Sequence, residues 1–317
     1  MQISTILEKS ASTLFTFELM PPPKGENFSE IANAVEALVA FSPAYVNITH
    51  HRAETVLRER PDGLMERAVV KKRPGTVSIA AAIKYKYGIE VVPHLVCGGY
   101  TRGETEDALI DLSFLGIHNV LALRGDPAPG EKHFAGEKDG YGHARELVQQ
   151  VQRMNAGQYL DPTLKNPAPT AFCVGVAGYP EKHSEAPNKS ADLQRLKEKV
   201  EAGAAYVVTQ MFFDNAKYFA FVKDCRAAGI SVPIIPGVKP LATARQLSVL
   251  PQVFHIDLPE ALEREVKKCA TPEQVRRVGV EWGVAQCREL KAAGVPALHF
   301  YTMGKADNVK DIVRQVF

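Results

Sequence analysis

The sequence predicts an α/β protein, a single (β/α)8 TIM barrel that spans residues 1–317. Three observations predict it: short apolar segments have the composition of strands, helical patterns alternate with them, and a glycine often separates a helix from the next strand. Strands that alternate with helices form parallel βαβ units with right-handed crossovers. An open, doubly wound sheet is the alternative, but no G-x-G-x-x-G motif follows an early strand.

The predicted strands are rich in Val, Ile and aromatic residues and are mostly apolar on both faces, as buried parallel strands are. They are LFTFELM (14–20), AYVNIT (44–49), IEVVPHLV (89–96), IHNVLALR (117–124), AFCVGVAG (171–178), AAYVVTQM (204–211), ISVPIIPG (230–237) and VPALHFYT (295–302). Glycine tolerates the left-handed conformation that ends many helices, so a glycine before a strand marks a junction. Such glycines are Gly88, Gly116, Gly203, Gly229 and Gly294.

The segments between the strands keep the helical period. In DLQRLKEKVEAG, for example, Leu193, Leu196 and Val200 fall on one face. Two stretches interrupt this rhythm, and we predict both as long loops. Residues 52–75 are highly charged, and residues 155–170 are rich in Pro, Asn and Gly.

Composition excludes several classes of protein. The 317 residues include 38 Lys+Arg and 36 Asp+Glu, so charge gives no general attraction to nucleic acid. Apolar residues make up 45%, enough for a sizeable core rather than a disordered chain. No apolar run is long enough to span a membrane, and the first twenty residues lack the apolar region of a signal peptide. Five cysteines without a C-x-x-C pair indicate neither a disulfide framework nor a zinc knuckle, so we expect a cytoplasmic location.

Polar residues collect where the predicted strands end, and barrel enzymes carry their active sites at that end. Glu18 stands between Phe17 and Leu19. A carboxylate in such apolar surroundings must be paired or have a raised pKa, so a functional role is favoured over a structural ion pair. The other strand ends carry Asn47, Thr49, His50, His51, Arg52, His94, Arg124, Gly125, Asp126, Tyr179, Glu181, Lys182, His183, Thr209, Gln210, His299 and Tyr301, with Lys305 beyond.

Some of these residues allow simpler interpretations. Arg124-Gly125-Asp126 could be a turn with a local ion pair. The histidines lack H-x-H or H-E-x-x-H spacing, so we predict no metal site. Cys97 is a poor candidate nucleophile, because its spacing from His94 does not bring the two side chains together. The lysines near helix 191–202 could line a solvated face or bind phosphate; they are Lys182, Lys189, Lys197 and Lys199.

These residues belong to motifs that resemble the methylenetetrahydrofolate reductase family, over nearly the whole chain. The motifs follow one another as F-E-x-x-P-P, P-H-L-x-C, A-L-R-G-D, Y-P-E-x-H-x-E-A, T-Q-x-F-F-D, I-I-P-G-x-x-P and H-F-Y-T. The resemblance implies an FAD flavoprotein of one-carbon metabolism and methionine biosynthesis. Such an enzyme reduces 5,10-methylenetetrahydrofolate to 5-methyltetrahydrofolate, with NADH or NADPH as the reductant and flavin N5 carrying the hydride in a ping-pong cycle.

The resemblance also implies roles for individual residues. Glu18 stands at the position of the general acid, and Asp126 at that of an aspartate near flavin and folate. Positions that contact FAD or nicotinamide are Thr49, His50, Arg52, His94, Arg124, Gly125, Asp126, Tyr141, Tyr179, His183, Ala186, Asp192 and Lys199. Positions of the folate pocket are Asp126, Gln210, Gln246, Tyr301 and Lys305.

The chain departs from some relatives at Glu198 and Lys305, where these carry Arg, and at His50-His51-Arg52, which replaces a smaller stretch. The reductant preference and the contacts to the folate tail therefore stay open. We expect a homo-oligomer without the C-terminal regulatory domain of eukaryotic relatives. Two alternatives are a folate-binding barrel and a reductase subunit that takes electrons from another protein. A sugar-phosphate aldolase or isomerase would need a Lys or a base at a strand end, and no predicted strand ends in such a Lys.

Overall fold

A closed barrel of parallel strands, surrounded by helices, makes up most of the molecule. The structure, a computed structural model, describes residues 1–127, 131, 133–304 and 306–317. The first elements are α1 (Ile3–Lys9), β1 (Leu14–Leu19), α2 (Ser29–Val39), β2 (Tyr45–Ile48), β3 (Glu54–Glu59), β4 (Met65–Val70), α3 (Thr76–Tyr87), β5 (Glu90–Val96), α4 (Arg102–Phe114), β6 (Asn119–Leu123) and α5 (Ala144–Asn155). They are followed by β7 (Cys173–Gly178), α6 (Lys189–Glu201), β8 (Tyr206–Met211), α7 (Asn215–Ala227), β9 (Ile234–Val238), α8 (Gln246–Phe254), α9 (Glu260–Lys267), α10 (Pro272–Ala292), β10 (Ala297–Tyr301) and α11 (Asp307–Val316).

The strand order around the barrel is β1-β10-β9-β8-β7-β6-β5-β2. The first and last strands close it, with Leu14 opposite Ala297 and Glu18 opposite Tyr301. The predicted α/β class and (β/α)8 barrel are therefore confirmed, and each predicted strand overlaps a barrel strand. The largest difference is β9, which covers Ile234–Val238 instead of 230–237, because residues 230–233 still belong to the turn after α7.

The prediction of a long loop over residues 52–75 is wrong. Strands β3 and β4 form an antiparallel hairpin in this stretch, with Glu54 opposite Val70 and Glu59 opposite Met65. Its tip contains Gly63 with a φ of 77°, a backbone conformation that glycine adopts without strain. The charged side chains lie on an exposed ribbon, and that composition resembles a loop. The second prediction is confirmed, since residues 156–172 contain no helix or strand.

Helix α1 covers the N-terminal end of the barrel. Ile3 and Leu7 are buried against a cluster that includes Tyr45 and Tyr206 from inside the barrel. The Asn119 side chain fixes the start of the helix: its Oδ1 accepts from the Ile3 backbone N–H at 2.9 Å, and its Nδ2 donates to the Met1 carbonyl. The barrel is therefore filled by apolar side chains at this end.

The connection from β9 to β10, within the described segment 239–296, contains the helices α8, α9 and α10. Thr271 and Gln274 form a reciprocal capping box at the start of α10, with Pro272 in its first turn. Gly279 lets α10 approach the loop after β9 so closely that a Cβ would overlap the backbone oxygen of Leu241. In the described part of the chain, no helix is long and apolar enough to cross a membrane.

Candidate active site

The interior of the barrel changes from apolar to polar toward the C-terminal ends of the strands. Above the apolar cluster, the Thr16 hydroxyl lies 2.8 Å from His299 Nδ1, and Asn47 Nδ2 lies 3.3 Å from His94 Nε2. Burial lowers the pKa of both His94 and His299 to about 3, so the two imidazoles are neutral. They form an uncharged polar layer beneath the open end of the barrel.

Glu18 lies one step closer to the open end of the barrel on β1. Its neighbours in sequence, Phe17 and Leu19, point outward and are buried in the core between strands and helices. Burial raises the pKa of the Glu18 carboxyl to about 8, and the positive charge of Lys239 works against this rise. Glu18 therefore holds a proton at neutral pH, as a general acid must.

Lys239 is a buried residue that the sequence prediction missed. It directly follows β9 and is only 6% exposed. No described strand ends in a lysine, but β9 runs to Val238 and not to Gly237, so Lys239 comes directly after the strand end. The signal in the sequence was the K-P pair after an apolar strand, which places a long cation at the barrel end.

The loops after β2 and β5 place His50 next to Tyr100. Their rings lie 4.7 Å apart, and the tyrosine hydroxyl is 3.3 Å from His50 Nδ1. Burial, with help from the charges of Lys71 and His51, lowers the pKa of His50 to about 4. His50 Nε2 and Arg52 Nε are buried without a hydrogen-bond partner among the described residues. Thr49 Oγ1 lies 3.1 Å from His51 Nε2 and so helps to order this loop.

The loop after β6 brings a cation and a close backbone turn to the same end. Arg124 makes two hydrogen bonds with Glu185, at 2.5 and 2.9 Å, and its guanidinium carbon lies 4.8 Å from the centre of the Phe134 ring. Gly125 has a φ of 90°, and a Cβ there would come within 2.6 Å of Val96 Cγ1. The Asp126 side chain is exposed, and its charge helps burial to raise the pKa of Tyr179.

The loop after β7 and helix α6 bring together five more predicted residues. The Tyr179 and His183 rings meet edge to face at 4.7 Å, and Asp192 Oδ2 accepts from the His183 backbone N–H at 3.0 Å. Lys199 Nζ donates to the Ala177 carbonyl at 2.6 Å, and burial lowers the pKa of this lysine to about 8. The Ala186 carbonyl accepts from Lys182 Nζ.

Next to this loop, a cleft of about 350 Å³ opens between α6 and α7, lined by Tyr179, Lys182, Lys189, Asp192 and Phe221 among others. Of the lysines noted in the sequence, Lys199 points into the cluster, whereas Lys197 forms a surface ion pair with Glu201. The first turn of α6, with Lys182 and Lys189 beside it, can hold an anionic group.

The remaining predicted residues are more dispersed. Gln210 lies at the end of β8, and Tyr301 Oη donates to the Thr209 carbonyl at 2.6 Å. The Gln246 side-chain oxygen accepts from the backbone N–H groups of Ala242 and Thr243, so it caps the approach to α8. Tyr141 Oη accepts from Arg153. Lys305 lies outside the described residues.

Two other interpretations can now be compared with the geometry. Burial raises the pKa of the Cys97 thiol to about 12, which disfavours it as a nucleophile. Among residues 1–127, 131, 133–304 and 306–317, no group of three His, Cys, Asp or Glu side chains could hold a metal ion.

Comparison with known proteins agrees with the geometry. The family profile of methylenetetrahydrofolate reductase matches residues 2–316. The 5,10-methylenetetrahydrofolate reductase of Salmonella typhimurium is 31% identical over 293 residues, which cover 92% of this chain and 86% of that protein. A probable methylenetetrahydrofolate reductase (NADH) of Oryza sativa is 30% identical over 313 residues, but these cover 95% of this chain and 48% of the rice protein. The chain thus spans about half the length of the plant relatives that it matches.

Similar solved structures agree on the fold. A protein from Clostridium thermocellum, described as binding two copies of 5-methyl-5,6,7,8-tetrahydrofolic acid, superposes with a TM-score of 0.60. The match covers 99% of this chain and 97% of the other at 15% identity, so it concerns the fold alone. The family profile, by contrast, covers nearly the whole sequence. The chain belongs to the methylenetetrahydrofolate reductase family.

Proposed function

We propose that this protein reduces 5,10-methylenetetrahydrofolate to 5-methyltetrahydrofolate, with FAD as the prosthetic group and NADH or NADPH as the reductant. Family membership supports the reaction class. The observation that carries the proposal is Glu18, a carboxyl group with a pKa of about 8 at the C-terminal end of the barrel. Opening of the folate methylene ring needs a proton donor at neutral pH, and few carboxyl groups can serve there.

The residues at the barrel end fit a dinucleotide such as FAD. His50 Nε2 and Arg52 Nε are buried donors or acceptors without a partner in the described structure. Gly125 makes the turn after β6 compact, because Val96 Cγ1 lies where a Cβ would stand, and this turn carries Arg124 to the barrel end. Arg124 and Lys199 supply positive charge, which suits a pyrophosphate. Held by these residues, FAD would supply the hydride chemistry between the nicotinamide and the folate methylene carbon.

Glu18 acts on the folate in this proposal. Its proton goes to the bridging nitrogen that leaves the methylene carbon, and the electron pair of the breaking carbon–nitrogen bond stays on that nitrogen. A positively charged iminium remains at the other nitrogen, and Glu18 becomes a carboxylate. Addition of hydride to the methylene carbon then gives the methyl group, so atoms and charges balance.

Other side chains hold the reactants and favour the cation. Asp126 is exposed near Tyr179 and offers a negative charge to the iminium. Gln210 and Tyr301 lie at the ends of β8 and β10, on either side of β9, and flank the folate in this proposal. The neutral His94 and His299 lie beneath it. Because these two histidines are neutral, they add no positive charge that would oppose iminium formation.

Anaerobic titration of the purified protein with NADH and with NADPH, followed by methylenetetrahydrofolate, tests the proposal. We expect a yellow protein whose flavin absorbance is bleached by one of the two reductants and restored by the folate. A yellow protein that neither nucleotide bleaches, but that folate reoxidises after chemical reduction, would indicate a subunit that takes electrons from a partner. A colourless protein that binds folate would contradict the proposal and indicate a folate-binding barrel.

A further inference from the structure

Lys239 lies in an unusual place for a lysine. Its side chain is 6% exposed, at the C-terminal end of β9, whereas lysines are rarely buried without a partner. The strand register puts Glu18 beside Tyr301 and Phe300 beside Val238. Consequently Glu18, Tyr301 and Lys239 lie at the same height on three adjacent strands, β1, β10 and β9.

Within the described part of the chain, Lys239 has neither a hydrogen bond nor a salt bridge, and Glu18 is its one charged neighbour. The titratable groups that face Glu18 are Lys239 from β9 and Tyr301 from β10, with His299 and His94 in the layer below. The Tyr301 hydroxyl donates its hydrogen bond to the Thr209 carbonyl, so that hydrogen is not free for Glu18. The two histidines are neutral, so they contribute no competing charge.

Burial and mutual attraction act on the two groups in opposite directions. Burial raises the pKa of Glu18, and the Lys239 charge lowers it, leaving a value of about 8. Burial lowers the pKa of Lys239, and the negative charge of Glu18 works against this fall. The pKa of Lys239 is thereby lowered from its ordinary value to about 8 as well. The two groups therefore compete for protons in one pH range, and a change at either group alters the other.

We propose that Lys239 is a positioning residue for Glu18, whose buried ammonium group stabilises the carboxylate that forms when Glu18 gives its proton to the folate. This inference rests on the proposed function. When the carbon–nitrogen bond of the folate breaks, Glu18 loses a proton and becomes negative beside Lys239. The ammonium group then holds this charge by Coulomb attraction in a water-poor site, without itself touching the reacting atoms. The proton on Glu18 is restored from solvent through the open end of the barrel.

Substitution of Lys239 by Met or Arg tests the role in catalysis. Lys239→Met keeps the length and removes the charge, so the pKa of Glu18 rises. We expect the alkaline limb of the pH–rate profile of folate reduction to move to higher pH by about one unit. The rate at pH 7 should fall about tenfold, because the carboxylate product is no longer stabilised. Flavin reduction by nicotinamide should change less than about twofold. Lys239→Arg keeps a cation and should keep the limb near its wild-type position.

Infrared spectroscopy tests the pair without any turnover. The carboxylic C=O band that disappears in Glu18→Gln reports the protonation of Glu18 in the purified holoprotein. We expect this band to persist to higher pH in Lys239→Met than in the wild type. If Lys239→Met does not fold, Lys239→Gln replaces it. An unshifted band, or a higher KM for folate without a change in the pH profile, would overturn the inference. A shifted band in a protein that does not reduce folate would support the pair and reject the proposed function instead.

Discussion

Arg124 and Glu185 connect the loops that follow two neighbouring strands, β6 and β7, through a pair of hydrogen bonds. The guanidinium plane also lies over Phe134, so its position is fixed from two sides. This ion pair holds a cation next to Tyr179, His183 and Lys199, where the proposed FAD needs positive charge.

We expect Glu185→Ala to loosen this arrangement at a modest cost in stability. The pair is partly exposed, so the free energy of unfolding should fall by about 1 kcal/mol or less. Arg124 lowers the pKa of Glu185, so the contribution is present above the ordinary pKa of a glutamate and is lost as the pH falls through the lowered value. Urea unfolding at pH 7 and at pH 4 measures both effects.

Glu198→Ala is the matched control, because it breaks the more exposed ion pair with Arg145. FAD titration should detect weaker binding in Glu185→Ala and a smaller change in Glu198→Ala. Equal FAD affinities in the two variants would contradict a role of the Arg124–Glu185 pair in holding the cofactor.

Glu18→Gln should separate the two halves of the proposed reaction. General acids contribute on the order of 10²–10⁴-fold to rate, so folate reduction should fall by that factor while flavin reduction by nicotinamide persists. In the wild type, folate reduction should decline as the pH rises through about 8, where Glu18 loses its proton. Stopped-flow measurement of each half-reaction checks this. A Glu18→Gln enzyme that reduces folate at the full rate would exclude the acid role. Asp126→Asn serves as the comparison, because it should weaken folate binding more than it slows flavin reduction.

The buried histidines should make the protein sensitive to mild acid. His50, His94 and His299 have folded pKa values of about 4, 3 and 3, below the ordinary value of 6.5. The unfolded chain binds protons first, so their contribution is complete above pH 6.5 and is lost as the pH falls toward 3. Each histidine can contribute up to about 1.4 kcal/mol per pH unit to that slope.

Chemical unfolding at several pH values between 4 and 8 measures the slope, with these pH limits set by the pKa values above. His94→Gln should flatten it, whereas His133→Gln, which changes an exposed side chain, is the matched control. A slope that is the same in wild type and His94→Gln would show that His94 does not titrate on unfolding as expected.

Two glycines of α10 should respond differently to alanine. A Cβ on Gly279 would overlap the backbone oxygen of Leu241, and backbone cannot rotate away. A Cβ on Gly283 would meet Ile312 Cδ1, the end of a flexible side chain. We expect Gly279→Ala to destabilise by roughly 2–3 kcal/mol. Gly283→Ala should leave the free energy of unfolding nearly unchanged. Alanine favours the helix by about 1 kcal/mol over glycine, and this gain offsets the cost of moving the Ile312 side chain. Thermal unfolding measures the stability of both variants. Equal melting temperatures would contradict the close approach of α10 to the loop after β9.

Much of the barrel could be predicted from the sequence, because parallel strands buried on both faces leave unbroken apolar segments such as VLAL in β6. The hairpin at 54–70 could not, since its exposed strands carry Glu54, Arg58, Glu59, Glu66 and Arg67 and so lack a continuous apolar segment. The turn residues Pro61, Asp62 and Gly63 were the one available indication of a hairpin.

The position of Glu18 within an apolar strand predicted a paired carboxylate or a raised pKa, and in the structure burial raises the pKa of this residue near the end of β1. Lys239 was missed because the predicted end of β9 fell two residues before it. Contacts such as Arg124–Glu185 join residues distant in sequence, and no local pattern encodes them. The hydrogen bonds that the Gln246 side-chain oxygen accepts from Ala242 and Thr243 likewise depend on the conformation of the loop before α8.

Closure of the barrel between β1 and β10 has a consequence for synthesis of the chain. The strand at Leu14 pairs with β2 early in the sequence, but its other partner begins at Ala297. At a translation rate of roughly 5–20 residues per second, β1 waits for tens of seconds with one edge unpaired. During that interval the nascent chain exposes an aggregation-prone strand edge, so slower translation or loss of a ribosome-associated chaperone should reduce the yield of soluble protein before any effect on the finished fold.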